Sequence, residues 1–73
     1  MRITFYITHK HSKYFEYRIL AVIPNSEFNT EFVYAELIHL LYELRVPESD
    51  HPIEIINMAT YESEAWKVQV IFL

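Results

Sequence analysis

Residues 2–8, "RITFYIT", alternate: Ile3, Phe5 and Ile7 fall on one side, Thr4, Tyr6 and Thr8 on the other. A period of two predicts a strand with one buried face. Residues 14–23 alternate as well, with Phe15, Tyr17, Ile19 and Ala21 set against Tyr14, Glu16 and Arg18. The polar "HKHSK" between them reads as a hairpin loop. Placing Thr8 opposite Tyr14 sets Phe5 against Tyr17 and Ile3 against Ile19, and Tyr6 against Glu16 and Thr4 against Arg18. Apolar then meets apolar throughout, which favours this register over a one-residue slip.

The period changes after "PNSEFNT". From Asn29 or Thr30, either of which suits a helix N-cap, to about Arg45, apolar residues recur at three and four. Glu31 lies in the first turn, where the helix dipole favours an acid, and Pro47 stops the helix from continuing. Val33, Leu37, Leu40, Leu41 and Leu44 form the stripe expected to pack on a sheet. Tyr34, Ile38 and Tyr42, at i, i+4 and i+8, widen it by roughly another 100°.

Two further alternating runs follow, residues 53–60 and 65–73, around "YESE". Pairing Thr60 with Ala65 puts Ile53 and Ile55 inside against Phe72 and Val70, Ile56 and Met58 outside, and Asn57 inside against Val68. The order is ββαββ. The expected fold is α+β, a single domain over residues 1–73, with a four-stranded, mainly antiparallel sheet and one helix packed on one face.

Composition acts mostly by exclusion. With 73 residues the chain buries only about 60% of its unfolded surface, so stability is marginal. Cysteine is absent, which leaves neither disulfides nor thiolate zinc sites as supports. Glycine is absent too, so Gly-rich phosphate loops, dinucleotide fingerprints and nucleophile elbows cannot be built. A net charge of −4 repels phosphate backbones and makes nucleic acid an unfavoured partner. The first ten residues alternate and lack the apolar core of a signal peptide, and no apolar run approaches membrane-spanning length. A cytoplasmic protein with no membrane contact is expected.

Candidate chemistry is thin. Glu36, His39 and Glu43 share a helix face and contain an E-x-x-H spacing, but such metal sites draw ligands from several helices. The strip reads as the wet face, and neither a metal nor a cofactor is expected. "ESDHP" names the members of a hydrolytic triad, Ser49, Asp50 and His51, in adjacent positions that cannot form the relay. No catalytic constellation emerges, and a non-enzymatic role is expected.

The surplus apolar surface points instead to binding. Tyr34, Ile38 and Tyr42 on the helix, with Leu20, Val22, Ile56 and Ile71 at one end of the outer sheet face, form the candidate protein interface. His9, Lys10, His11 and Lys13 form a candidate basic contact tip. In size, acidity and composition the chain resembles phage and plasmid proteins that disable host enzymes, a resemblance with no motif behind it. The expected function is a protein-interaction module, homodimeric, that regulates or inhibits a larger protein. The alternative is nucleic-acid contact through the HKHSK tip and the outer sheet face.

Overall fold

The computed structural model describes residues 1–52 and 60–73. Among them, β1 (Arg2–His9), β2 (Phe15–Val22), β3 (Thr60–Glu62) and β4 (Trp66–Phe72) form one antiparallel sheet, with α1 (Thr30–Glu43) between the hairpins in sequence. The α+β, ββαββ architecture expected from periodicity is the one observed. The strand order is β2-β1-β4-β3, so the first and last strands lie side by side at the centre and β2 and β3 at the edges.

The core follows from the two periods. Ile3, Phe5 and Ile7 of β1 are fully buried, as are Val33 and Leu41 of α1 and Val68 of β4, with Leu37, Leu40 and Val70 close behind. The helix begins where Asn29 Oδ1 accepts the Glu31 N–H at 2.7 Å, satisfying one of the orphan donors of the first turn. It ends at Glu43, two residues before the expected Arg45. The Val46 N–H donates to Leu41 O (2.9 Å) and the Arg45 N–H to Tyr42 O (3.0 Å), the paired bonds of a Schellman cap. That cap needs a left-handed residue at its centre, and in a chain without glycine Arg45 takes it, at φ 61°.

Both expected hairpin registers are corrected. In the first, Thr8 pairs with Phe15, Tyr6 with Tyr17, Phe5 with Arg18 and Thr4 with Ile19, one residue away from the alignment of like with like, until a bulge next to Ile3 and Thr4 shifts the pairing. The faces of β2 are therefore reversed: Glu16, Arg18 and Leu20 turn toward the helix side, and Phe15, Tyr17 and Ile19 turn outward. Two effects favour the slip, one in the loop and one across the fold. The loop is shortened because the His9 N–H reaches Tyr14 O (3.3 Å), while Ser12 Oγ accepts the Tyr14 N–H (3.2 Å) and His9 Nδ1 the His11 N–H (3.1 Å). Arg18, turned inward, meets Glu16 at 2.6 Å and Glu43 of α1 at 2.8 Å.

In the second hairpin, Thr60 pairs with Gln69, Tyr61 with Val68 and Glu62 with Lys67, so "YE" belongs to β3 and the turn tightens to Ser63–Trp66. The Ser63 N–H donates to Trp66 O (2.8 Å), while the Trp66 N–H goes to Ser63 Oγ (3.1 Å), a hydroxyl standing in for a carbonyl. The remaining expectations for this strand, including inward Ile53, Ile55 and Asn57 and outward Ile56 and Met58, lie outside the described residues.

Candidate functional site

The reversed register creates a surface that strand alternation did not predict. On the face of the sheet away from the helix, Tyr6 of β1 packs edge-on to Tyr17 (ring centroids 4.8 Å apart, 85°) and tilted against Phe15 (5.3 Å, 49°). Phe15 is 56% exposed, Tyr17 41%, Ile19 50% and Val22 74%. A row of large apolar residues this open along one strand is what interaction surfaces display and isolated surfaces avoid. Ile71 of β4, paired with Thr4 on the same face, is half-buried.

Thr4 marks the middle of that face. Its neighbours across the strands are Ile19 and Ile71, it is fully buried, and its Oγ1 has no hydrogen-bond partner among the described residues.

Along its rim, β2 is an unpaired edge among the described residues. The bond from the His9 N–H to Tyr14 O identifies the His9–Tyr14 pair as hydrogen-bonded, and antiparallel ladders alternate. Tyr14, Glu16 and Arg18 thus direct their backbone groups to β1. Phe15, Tyr17 and Ile19 direct theirs outward, where they offer donors and acceptors to another strand.

Electrostatics at this edge come from one chain of contacts. Tyr14 Oη donates to Glu16 Oε1 (2.5 Å), Arg18 Nε to Glu16 Oε2 (2.6 Å) and Arg18 Nη2 to Glu43 Oε2 (2.8 Å). The Arg18 guanidinium, helped by the Tyr14 hydroxyl, holds the Glu16 carboxyl below its ordinary value. Conversely, the two carboxylates raise Arg18, and Glu16 raises Tyr14 by accepting its proton in a hydrogen bond.

The residues singled out from sequence scatter. Leu20, expected on the outer face, packs against the core as a consequence of the register shift, whereas Val22 does lie exposed. Ile56 lies outside the described residues. On the helix, residues 46–52 fold over the Tyr34, Ile38, Tyr42 row: Tyr34 Oη donates to Pro52 O (2.7 Å), Tyr42 Oη to Glu48 Oε1 (2.6 Å), and the Tyr42 ring stands edge-on to His51 at 4.9 Å. Ile38 is half-buried against the core, and Tyr42 keeps 52% exposure.

At the hairpin tip, His9 and His11 stand 5.7 Å apart edge to face, and His9 also meets Trp66 at 4.7 Å. Lys10 pairs with Glu62 at 2.8 Å, which cancels part of the tip's positive charge, while Lys13 remains exposed. Glu43 of the helix strip is taken up by Arg18, and among the described residues no three acidic or histidine side chains converge on a point where a metal would sit. His51 Nε2 lies 2.9 Å from Val46 O, which ties it to the loop rather than to Ser49. A cavity of about 170 Å³ between residues 45–50 and 63–66 is lined by Arg45, Asp50, Glu64 and Trp66. It falls short of the roughly 300 Å³ at which small-molecule sites begin.

The outer aromatic cluster is what sequence reading missed. Its signal was present: Phe15, Tyr17 and Ile19 alternate as cleanly outward as inward, and the pattern does not say which. Comparison with protein-family models, with curated proteins and with solved structures finds no match for this chain.

Proposed function

We propose that the chain is a non-catalytic protein-interaction module, acting in the cytoplasm, which binds a larger protein through its outer sheet face and regulates or inhibits it by occupying that partner's surface. The supporting observation is the exposed row Phe15, Tyr17, Ile19 and Val22, continued across the sheet by Tyr6 and Ile71. Rings held against one another lose little freedom on binding, so their burial contributes more than that of mobile side chains. Affinity capture with tagged protein tests this. Ile71→Lys, placed on the face but away from the β2 edge, should weaken retention of the captured protein by about tenfold or more. Undiminished capture by a folded Ile71→Lys variant would remove the outer face as the binding surface.

The Tyr6, Phe15, Tyr17 cluster supports one second reading. Exposed aromatics on a four-stranded sheet also form base-stacking platforms for single-stranded nucleic acid. Charge opposes it: Arg18 is turned away toward Glu16 and Glu43, Lys10 is paired with Glu62, and the net charge is −4. Salt-dependent retention on single-stranded DNA or RNA would favour this reading, and passage through at low salt would end it.

A further inference from the structure

We propose that β2 pairs antiparallel with β2 of a second copy of this chain, about a twofold axis at Tyr17, forming one sheet continuous across both molecules. This rests on the reading of the outer face and its edge as a protein contact, and names one partner for it.

Three observations lead to that axis. First, the outward backbone groups belong to Phe15, Tyr17 and Ile19, a set symmetric about Tyr17 and limited by the hairpin loop on one side and the bulge on the other. A twofold at Tyr17 matches Tyr17 with the partner's Tyr17 and Phe15 with the partner's Ile19, giving about six ladder bonds from three hydrogen-bonded pairs. Second, the same register sets exposed apolar residues against exposed apolar residues on the outer face, where cross-strand pairs of aromatic and β-branched side chains are favourable.

Third, the charges select among registers. An axis at Glu16 would oppose Glu16 to the partner's Glu16, and an axis at Arg18 would oppose Arg18 to the partner's Arg18, both unfavourable. The axis at Tyr17 sets Glu16 opposite the partner's Arg18 and Arg18 opposite the partner's Glu16. Both side chains keep about a third of their surface open, 29% for Glu16 and 35% for Arg18, so the opposed charges attract across the axis while each keeps its contacts within its own molecule. Of the devices that blunt single edges, Phe15–Ile19 contains neither Lys nor Pro, and its inward charges, Glu16 and Arg18, are of opposite sign and complement one another across this axis.

The test is a mass measurement by light scattering with two variants. At about 100 µM, where a dissociation constant of micromolar order leaves little free monomer, the chain should weigh twice 8.9 kDa. Tyr17→Lys, at a side chain already open to water, should halve that mass while the circular dichroism of the fold persists. The chain has no cysteine, so Tyr17→Cys carries a single thiol. A short bismaleimide should join two copies at Tyr17→Cys and should fail at Ile19→Cys, whose equivalents lie roughly four residues of strand apart, about 13 Å. A mass of 8.9 kDa for the unmodified chain overturns the proposal, and so does a dimer that cross-links at Ile19→Cys but not at Tyr17→Cys. If the mass is monomeric while capture still depends on Ile71, the dimer fails and the protein-binding reading stands.

Discussion

Thr4 is a polar side chain in a fully buried position whose hydroxyl finds no partner among the described residues. Leaving such a group unsatisfied costs more than a hydrogen bond returns, because its water is lost and nothing replaces it. Thr4→Val keeps the branched shape that suits a central strand and removes the hydroxyl. It should raise stability by about 1 kcal/mol, read as a higher urea midpoint at unchanged slope. An unchanged or lowered midpoint would mean that the hydroxyl is satisfied. Alternation had placed Thr4 outside as an ordinary polar position. It lies on a central strand between Ile19 and Ile71, neighbours that no local pattern contains.

At the scale of elements, the helix shows how the lack of glycine is absorbed. Its C-terminal cap is complete, and Val46 beyond it is buried with Leu41 in the core, so the left-handed turn is held in place by tertiary packing. An L-residue there costs about 1–2 kcal/mol relative to its right-handed conformation. Arg45→Gly should recover about 1 kcal/mol of this after the added flexibility of the unfolded chain is counted. Thermal or urea unfolding measures it, and a destabilised variant would show that the Arg45 side chain contributes more than its backbone costs. The helix itself was legible to within two residues, because N-cap, periodicity and Pro47 are all local signals. The hairpins were legible as pairs and misread in register. Each strand alternates, but alternation defines two faces without saying which one meets the helix, and the deciding contacts, Arg18 to Glu43 above all, span 25 positions in sequence.

For the whole molecule, that contact links edge strand to helix, and the second carboxylate on the same guanidinium, Glu16, makes part of the stability depend on pH. Glu16 is held below its ordinary carboxylate value chiefly by Arg18 and then by Tyr14. Because the folded-state value is the lower one, the stabilisation is complete above the unfolded value, 4.5, and is lost as pH falls through the folded value. Unfolding free energies measured from about pH 5 down to about pH 2 should therefore fall less steeply for Glu16→Gln than for the unmodified chain. Making the comparison in a Tyr17→Lys background confines it to contacts within one molecule. Equal slopes would show that the Glu16–Arg18 contact does not form in solution.

The amino-acid sequence alone determined the ββαββ order, the helix and its N-cap, the inward face of β1, and the exclusion of thiolate and glycine-loop chemistry, since each depends on neighbours a few residues apart or on residue types that are simply missing. The tertiary structure decided the rest: which face of β2 looks outward, that β1 and β4 share the centre, and that an aromatic row and an unpaired edge coincide on the same strand. Those are outcomes of competition between distant partners. One residue of register, set by a tightened loop and an ion pair across the fold, moves three large apolar side chains from the core to the surface.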